Sequence, residues 1–225
     1  MISYFDKKGK LNTCEDSLTS LVFDGLKYLP IELFWRILKK SLYQDKLPYT
    51  SGEMESISFW EHWDPKGTHN KNLIEPDVFI RFHSFDIIIE AKRYNEKQQK
   101  KEQLEDQVIA YTNEFGKDGK TLYFIQLDGL HNKEDEPDFL KEGKHAIICK
   151  TDWSNILEQI VLVNNQIKGT ILTINTAYSR ILEDIIKGLE LHQYYKKLWL
   201  KDFEVYKPIH NYSLSNLFGY ARKHK

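Results

Sequence analysis

The most constraining stretch of this chain runs from Glu75 to Lys92 and reads EPDVFIRFHSFDIIIEAK. Two runs of β-branched and aromatic residues, Val78 to Phe82 and Phe85 to Ile89, flank His83-Ser84. That spacing predicts two strands joined by a tight hairpin, although neither turn residue is a preferred turn former. Alternation along the second strand sends Ile88, Glu90 and Lys92 to one face and Ile87, Ile89 and Ala91 to the other. Asp77 begins the partner strand, so the hairpin returns its carboxylate to the Glu90 end. Two hard oxygen ligands converging in this way suit Mg²⁺ or Mn²⁺, which keep waters for chemistry. A lysine beside them can stabilise a pentacovalent phosphate or orient an attacking water.

The flanking sequence supplies a layout. Upstream, Thr13 and Asp16 read as a capping box, and Leu18, Leu21, Val22, Leu26 and Leu29 recur at helical spacing, so a helix is expected from about Cys14 to Tyr28. Glu15 falls on its apolar stripe. Either it complements the helix dipole, as Asp16 already does, or it points into a polar site. Pro30 opens a second helix with Phe34, Trp35 and Leu38 on its buried face. Ser56 to Trp63 alternates with aromatic enrichment and is expected to be a strand. Glu61 and His62 then need no catalytic role, because polar residues alternate along any half-exposed strand.

Downstream, about Glu96 to Phe115 has helical period, with Leu104, Val108, Tyr111 and Phe115 on one face. Thr121 to Asp128 is a nearly continuous apolar run, as expected of a buried central strand reached by a crossover. His131 to Lys144 is highly charged and is expected to be a solvated excursion. His145 to Cys149 makes one more strand, and Asp152 caps a helix from Trp153 to about Ile167. A long helix and an aromatic, basic tail complete the chain, and there is no internal repeat.

Pro76-Asp77, twelve intervening residues and then Glu90-Ala91-Lys92 resemble the signature of the PD-(D/E)XK nuclease superfamily. Gln107-Val108-Ile109-Ala110-Tyr111 is similar to the Gln-x-x-x-Tyr element of its RecB-like and Cas4-like branches, and Glu15 matches an acid that recurs in the first helix. The resemblance covers roughly residues 13 to 150. A second Pro-Asp pair, Pro137-Asp138 before Glu142-Gly143-Lys144, has the letters without the apolar strands, which shows that context rather than the motif carries the likeness.

The resemblance implies an α/β fold: a restriction-endonuclease-like core of order αβββαβ, with a mixed central sheet flanked by helices, over residues 1–150. Residues 151–225 would form a helical C-terminal extension packed on the same domain. It also implies divalent-metal-dependent hydrolysis of phosphodiester bonds, DNA ahead of RNA, in defence or repair. Asp77, Glu90 and Glu15 would bind Mg²⁺ or Mn²⁺, with the Ala91 carbonyl as a further ligand; Lys92 would position the nucleophilic water; Gln107 and Tyr111 would orient Lys92 or the scissile phosphate. The alternative is a catalytically inactive nuclease fold that binds nucleic acid or protein.

Charge constrains the partner. With 32 Lys+Arg against 33 Asp+Glu, net −1, the chain as a whole does not attract a polyanion, so nucleic acid must be held by local patches, a partner protein or a homodimer. The candidate phosphate contacts are Arg93, Lys97, Lys100 and Lys101, against the plainer reading of a solvated helix face shared with Glu96 and Glu102. Tyr194, Tyr195, Trp199, Phe203 and Tyr206 could stack bases, but are expected to pack the C-terminal helices or a dimer contact instead. Cys14 and Cys149 stand far apart without Cys-x-x-Cys company, so neither a zinc site nor a disulfide framework is suggested. A cytoplasmic location is expected, since no signal peptide or membrane span is recognisable.

Overall fold

The computed structural model describes residues 13–93, 98–169 and 173–196. The order along the chain is α1 (Glu15–Leu26), α2 (Ile31–Ser41), β1 (Met54–Phe59), β2 (Val78–Phe82), β3 (Phe85–Ala91), α3 (Lys101–Phe115), β4 (Thr121–Leu127), β5 (Phe139–Lys141), β6 (Lys144–Thr151), α4 (Trp153–Lys168) and α5 (Thr173–Leu191). The strands form one mixed sheet, β1-β2-β3-β4-β6-β5. β1, β2 and β3 run antiparallel as a meander, β3, β4 and β6 are parallel, and β5 returns antiparallel on the edge. This is the α/β arrangement expected from the sequence, a mixed sheet flanked by helices.

The strand period sorts the core into two layers. Val78, Ile80, Ile87, Ile89, Tyr123 and Ile125 face α1, α2, α4 and α5. Phe79, Ile88, Leu122, Phe124 and Ile148 face α3. β3 is buried along its whole length because helices cover both sides of it. Glu90 shares the α3 face with Ile88, so the alternation of one strand delivers a carboxylate to the sheet surface beneath a helix.

Several local expectations are corrected. Cys14, not Thr13, is the N-cap of α1, and no side chain caps that helix; Ser17 donates its hydroxyl to the Cys14 carbonyl at 3.0 Å instead. β1 stops at Phe59 because Trp60 adopts a left-handed backbone (φ 49°). Glu61 and His62 therefore lie beyond the strand, and Trp63 makes only a single bridge to Ile74. The helix expected from Glu96 begins at Lys101. The charged excursion from His131 to Lys144 is largely exposed, as expected, but it contains an unforeseen strand, β5, which turns into β6 through Glu142 and Gly143, both at positive φ (51° and 77°). Asp152 caps α4 as expected, accepting from the Asn155 amide at 2.8 Å.

α1, α4 and α5 bury one continuous apolar cluster that includes Leu18, Val22, Ile156, Ile160, Leu182 and Leu189. Trp153, fully buried, donates its indole N–H to the Lys92 carbonyl at 2.9 Å, tying the start of α4 to the end of β3. Among the described residues no helix is long and apolar enough to cross a membrane. Trp199, Phe203 and Tyr206 of the aromatic tail lie outside the described residues.

α5 reaches α1 through glycine. A Cβ on Gly188 would stand 2.3 Å from Leu21 Cδ2 and 2.8 Å from Leu21 Cγ. Helix propensity alone makes almost any residue better than glycine here by up to about 1 kcal/mol, whereas forcing atoms into a filled interface costs about 1–3 kcal/mol. Gly188→Val is therefore expected to lower the unfolding free energy measured in urea, despite its gain in propensity.

Candidate active site

The hairpin register places Val78 opposite Ile89, so Asp77 sits across from Glu90. Asp77 closes the hairpin mouth: one carboxylate oxygen accepts the Ala91 amide at 2.8 Å and the other the Trp60 indole N–H at 3.2 Å. The left-handed turn at Trp60 thus ends β1 where its side chain can reach this acid. Glu90 is 2% exposed. It pairs with Lys92, accepts from Gln103 Nε2 at 2.6 Å and from Gln107 Nε2 at 2.5 Å. Lys92 also lies 3.4 Å from Glu15 Oε1 and donates to the Ala91 carbonyl at 3.0 Å. Residues 15, 77, 90, 92 and 107, scattered through the sequence, meet at the end of β3.

Three residues of this cluster escaped the sequence reading. Gln99 donates its amide to the Glu90 carbonyl at 2.9 Å and to the Asp128 carbonyl at 3.2 Å, and Gln103 holds the Glu90 side chain. The available signal was the spacing Gln99, Gln103, Gln107: the last two stand four residues apart on one face of α3, and Gln99 lies just before the helix. Asp16 is the third. Sequence alone assigns it a capping-box and helix-dipole role, yet Glu15, Asp16 and Asp77 each offer a carboxylate oxygen within 4.8 Å of the others. Three convergent hard oxygens fit Mg²⁺ or Mn²⁺ by donor chemistry. Glu90, the other expected ligand, stands beside this group with its oxygens engaged by Lys92 and the two glutamines.

Burial sets the electrostatics. Desolvation, reinforced by the neighbouring Glu90 charge, pushes the Asp77 carboxyl up to about 7, against the pull of the Ala91 amide and Lys92. Burial likewise raises Glu90, opposed by Lys92 and by the Gln107 hydrogen bond. For Lys92 burial works against the charge, but Glu90 and Glu15 outweigh it, and its pKa lies above the ordinary lysine value. The ammonium therefore stays charged at neutral pH, while Asp77 holds its negative charge at a cost that a cation would relieve.

Other expected residues are placed differently. Tyr111 does not reach Lys92: its hydroxyl donates to Asp86 at 3.0 Å. Asp86 lies four residues back along β3, about 13 Å at the rise of a strand. α3 lays Gln107 over Glu90 and Tyr111 over Asp86, so the two members of the Gln-x-x-x-Tyr element serve different acids. Arg93 is 6% exposed, and its guanidinium donates to the Thr13 carbonyl. Rather than facing a phosphate at the surface, it pins Thr13, just ahead of the α1 N-cap, to the end of β3. Lys100 and Lys101 are exposed at the start of α3, Lys100 beside a cavity of about 550 Å³ with Gln103 and Gln107, and Lys101 beside a larger one. Lys97 lies outside the described residues.

No family model matches the chain. It is 29% identical over 219 residues to an uncharacterized protein of Pasteurella multocida (strain Pm70), a match that covers 91% of this chain and 80% of that protein. Among solved structures it is similar to a chain of the refined half-complex of Thermococcus gammatolerans McrB AAA+ hexamers with bound McrC. That match has 17% identity and a TM-score of 0.28, over 58% of this chain and 28% of that one, so the protein spans less than a third of it. It is also similar to the small subunit of the heterodimeric restriction endonuclease R.BspD6I, at 17% identity and a TM-score of 0.29, over 79% of this chain and 97% of that one. The fold assignment rests on element order and strand topology.

Proposed function

We propose that this protein is a divalent-metal-dependent nuclease that hydrolyses phosphodiester bonds, DNA ahead of RNA. The observation that carries the reading is the convergence of Asp77, Glu15 and the Glu90–Lys92 pair at one strand end, in the chain order αβββαβ of the superfamily that its motifs resemble. Glu15, Asp16 and Asp77 would hold the cation, with Glu90 as a further ligand. A bound Mg²⁺ or Mn²⁺ would neutralise phosphate charge and lower the pKa of a ligated water.

The protein's own groups do the rest. Lys92, kept protonated by Glu90 and Glu15, is a fixed cation; its longest contact, to Glu15 at 3.4 Å, is the one that would give way to the attacking water or a non-bridging phosphate oxygen when Glu15 turns to a cation. Gln103 and Gln107 hold the Glu90 carboxylate in place, so the carboxylate in turn fixes the ammonium. The indole of Trp60 and the amide of Ala91 aim the two Asp77 oxygens. Lys100 and Lys101 offer exposed charge for the substrate backbone.

Plasmid and oligonucleotide cleavage with Mg²⁺ or Mn²⁺ tests the reading. Asp77→Ala and Lys92→Ala are each expected to lower the rate by about 10²-fold or more; equal rates in wild type and both variants, or no cleavage of any substrate by the wild type, would overturn it. The Asp77 proton gives a second test. Its folded pKa lies above the unfolded value, so its contribution to metal-free stability is present below about pH 4 and is lost as pH rises through about 7. Melting curves in EDTA are expected to show the difference between Asp77→Asn and wild type shifting in the variant's favour from pH 5 to pH 8. Metal affinity, read by calorimetry, should tighten by up to about tenfold per pH unit below 7 and level off above it.

A further inference from the structure

In the parallel register Gln126 lies beside Glu90 and Lys150 beside Gln126. This row leads across the α3 face of the sheet, from the candidate active site into a cavity of about 790 Å³. One wall is the start of α3, with Lys101 and Leu104; the other is β5 and the segment before it, with Phe139. Lys150 builds that second wall. Its buried ammonium donates to Asn132 Oδ1 and the Glu134 carbonyl, each at 3.1 Å, and pairs with Glu136 at 3.2 Å, so all three of its protons are engaged.

The charges lining the cavity are largely balanced. Glu105 pairs with Lys141 across the two walls, Glu136 with Lys150, and Asp138 with Lys46 at 3.2 Å. Three groups are left over among the described residues: the exposed Lys101 ammonium, with no ion-pair partner, and the exposed His131 ring and half-buried Gln126 amide, with no hydrogen-bond partner. The apolar lining comes from Leu104, Phe139 and Ile148. Apolar surface for a planar ring, an amide that can both donate and accept, and a lone cation are what a nucleotide needs for its base face, base edge and phosphate. A base in a duplex keeps its faces stacked and its pairing edge occupied, so only an unpaired one can enter.

We propose that this cavity receives the base of an unpaired nucleotide next to the scissile phosphate. Gln126 meets its hydrogen-bonding edge, Phe139 and Leu104 its faces, and Lys101 its phosphate. This deepens the nuclease reading and rests on it, because that reading puts a phosphodiester at the end of β3, one strand away from Gln126.

Fluorescence anisotropy of the full chain with short single-stranded DNA, in EDTA and again in Ca²⁺, tests the proposal. An abasic site is moved one position at a time along the strand. Wild type is expected to lose about tenfold in affinity at one abasic position. Gln126→Leu should bind the intact strand several-fold more weakly and be indifferent to that position. Equal wild-type affinity for every abasic strand, undiminished sensitivity in Gln126→Leu, or no binding in either buffer overturns the proposal; the wild-type comparison does not depend on how the variant folds. Cleavage with Mg²⁺ is read in parallel. A wild type that cuts yet binds all abasic strands equally removes the base pocket and leaves the nuclease reading, whereas base-dependent binding without cutting supports the pocket and removes that reading.

Discussion

The buried ion pair between Lys92 and Glu90 is the interaction around which the end of the sheet is arranged. Moving a carboxylate and an ammonium out of water costs several kcal/mol each, and their mutual attraction offsets this only when the remaining hydrogen-bonding capacity is also met. The structure meets it from both layers. Gln103 and Gln107 on α3 serve Glu90, and Glu15 on α1 together with the Ala91 carbonyl serves Lys92. The helices that flank opposite faces of β3 are thereby drawn to the same strand end. The Trp153 indole on the Lys92 carbonyl adds the C-terminal helices to the same point.

A comparison along β3 separates a structural acid from a chemically poised one. Asp86, fully buried, has the Tyr111 hydroxyl at 3.0 Å, Arg81 at 3.4 Å and Lys120 at 3.6 Å. Two cations beside it compensate its burial. Asp77, also buried, is satisfied by an amide and an indole, neither of which carries a charge, and Glu90 stands close enough to repel it. Both acids belong to the same hairpin, at opposite ends. The Asp77 end is the one where two more carboxylates, Glu15 and Asp16, arrive from α1.

Much of this was legible before any coordinates. The runs around His83-Ser84 specified the β2–β3 hairpin because β-branched residues at period two bury both faces of a covered strand. The hairpin then made Asp77 and Glu90 neighbours, and alternation put Lys92 beside Glu90. Asp152 announced α4 through capping chemistry. Other features were illegible for identifiable reasons. β5 is three residues long and lies in charged sequence, so it leaves no periodic signal. Thr13 was read as a cap because its side chain can cap, but the backbone enters α1 one residue later. Tyr111 sits one helical turn from Gln107, but a turn of α3 and four residues of β3 cover different lengths, so the two side chains meet different acids.

The sequence by itself determined the hairpin, its buried apolar runs and the presence of two acids and a lysine at one end, since all of these follow from local period and chirality. Tertiary structure alone decided which distant residues complete the cluster. That Glu15 and Asp16 approach Asp77, that Gln103 and Gln107 lie over the Glu90 carboxylate, and that Arg93 turns inward to Thr13 all depend on how α1 and α3 seat on the sheet. Seating is the outcome of packing two apolar faces against a twisted surface while leaving no buried charge without a partner. No single segment carries that information, because each helix is amphipathic alone and acquires its position only against the others.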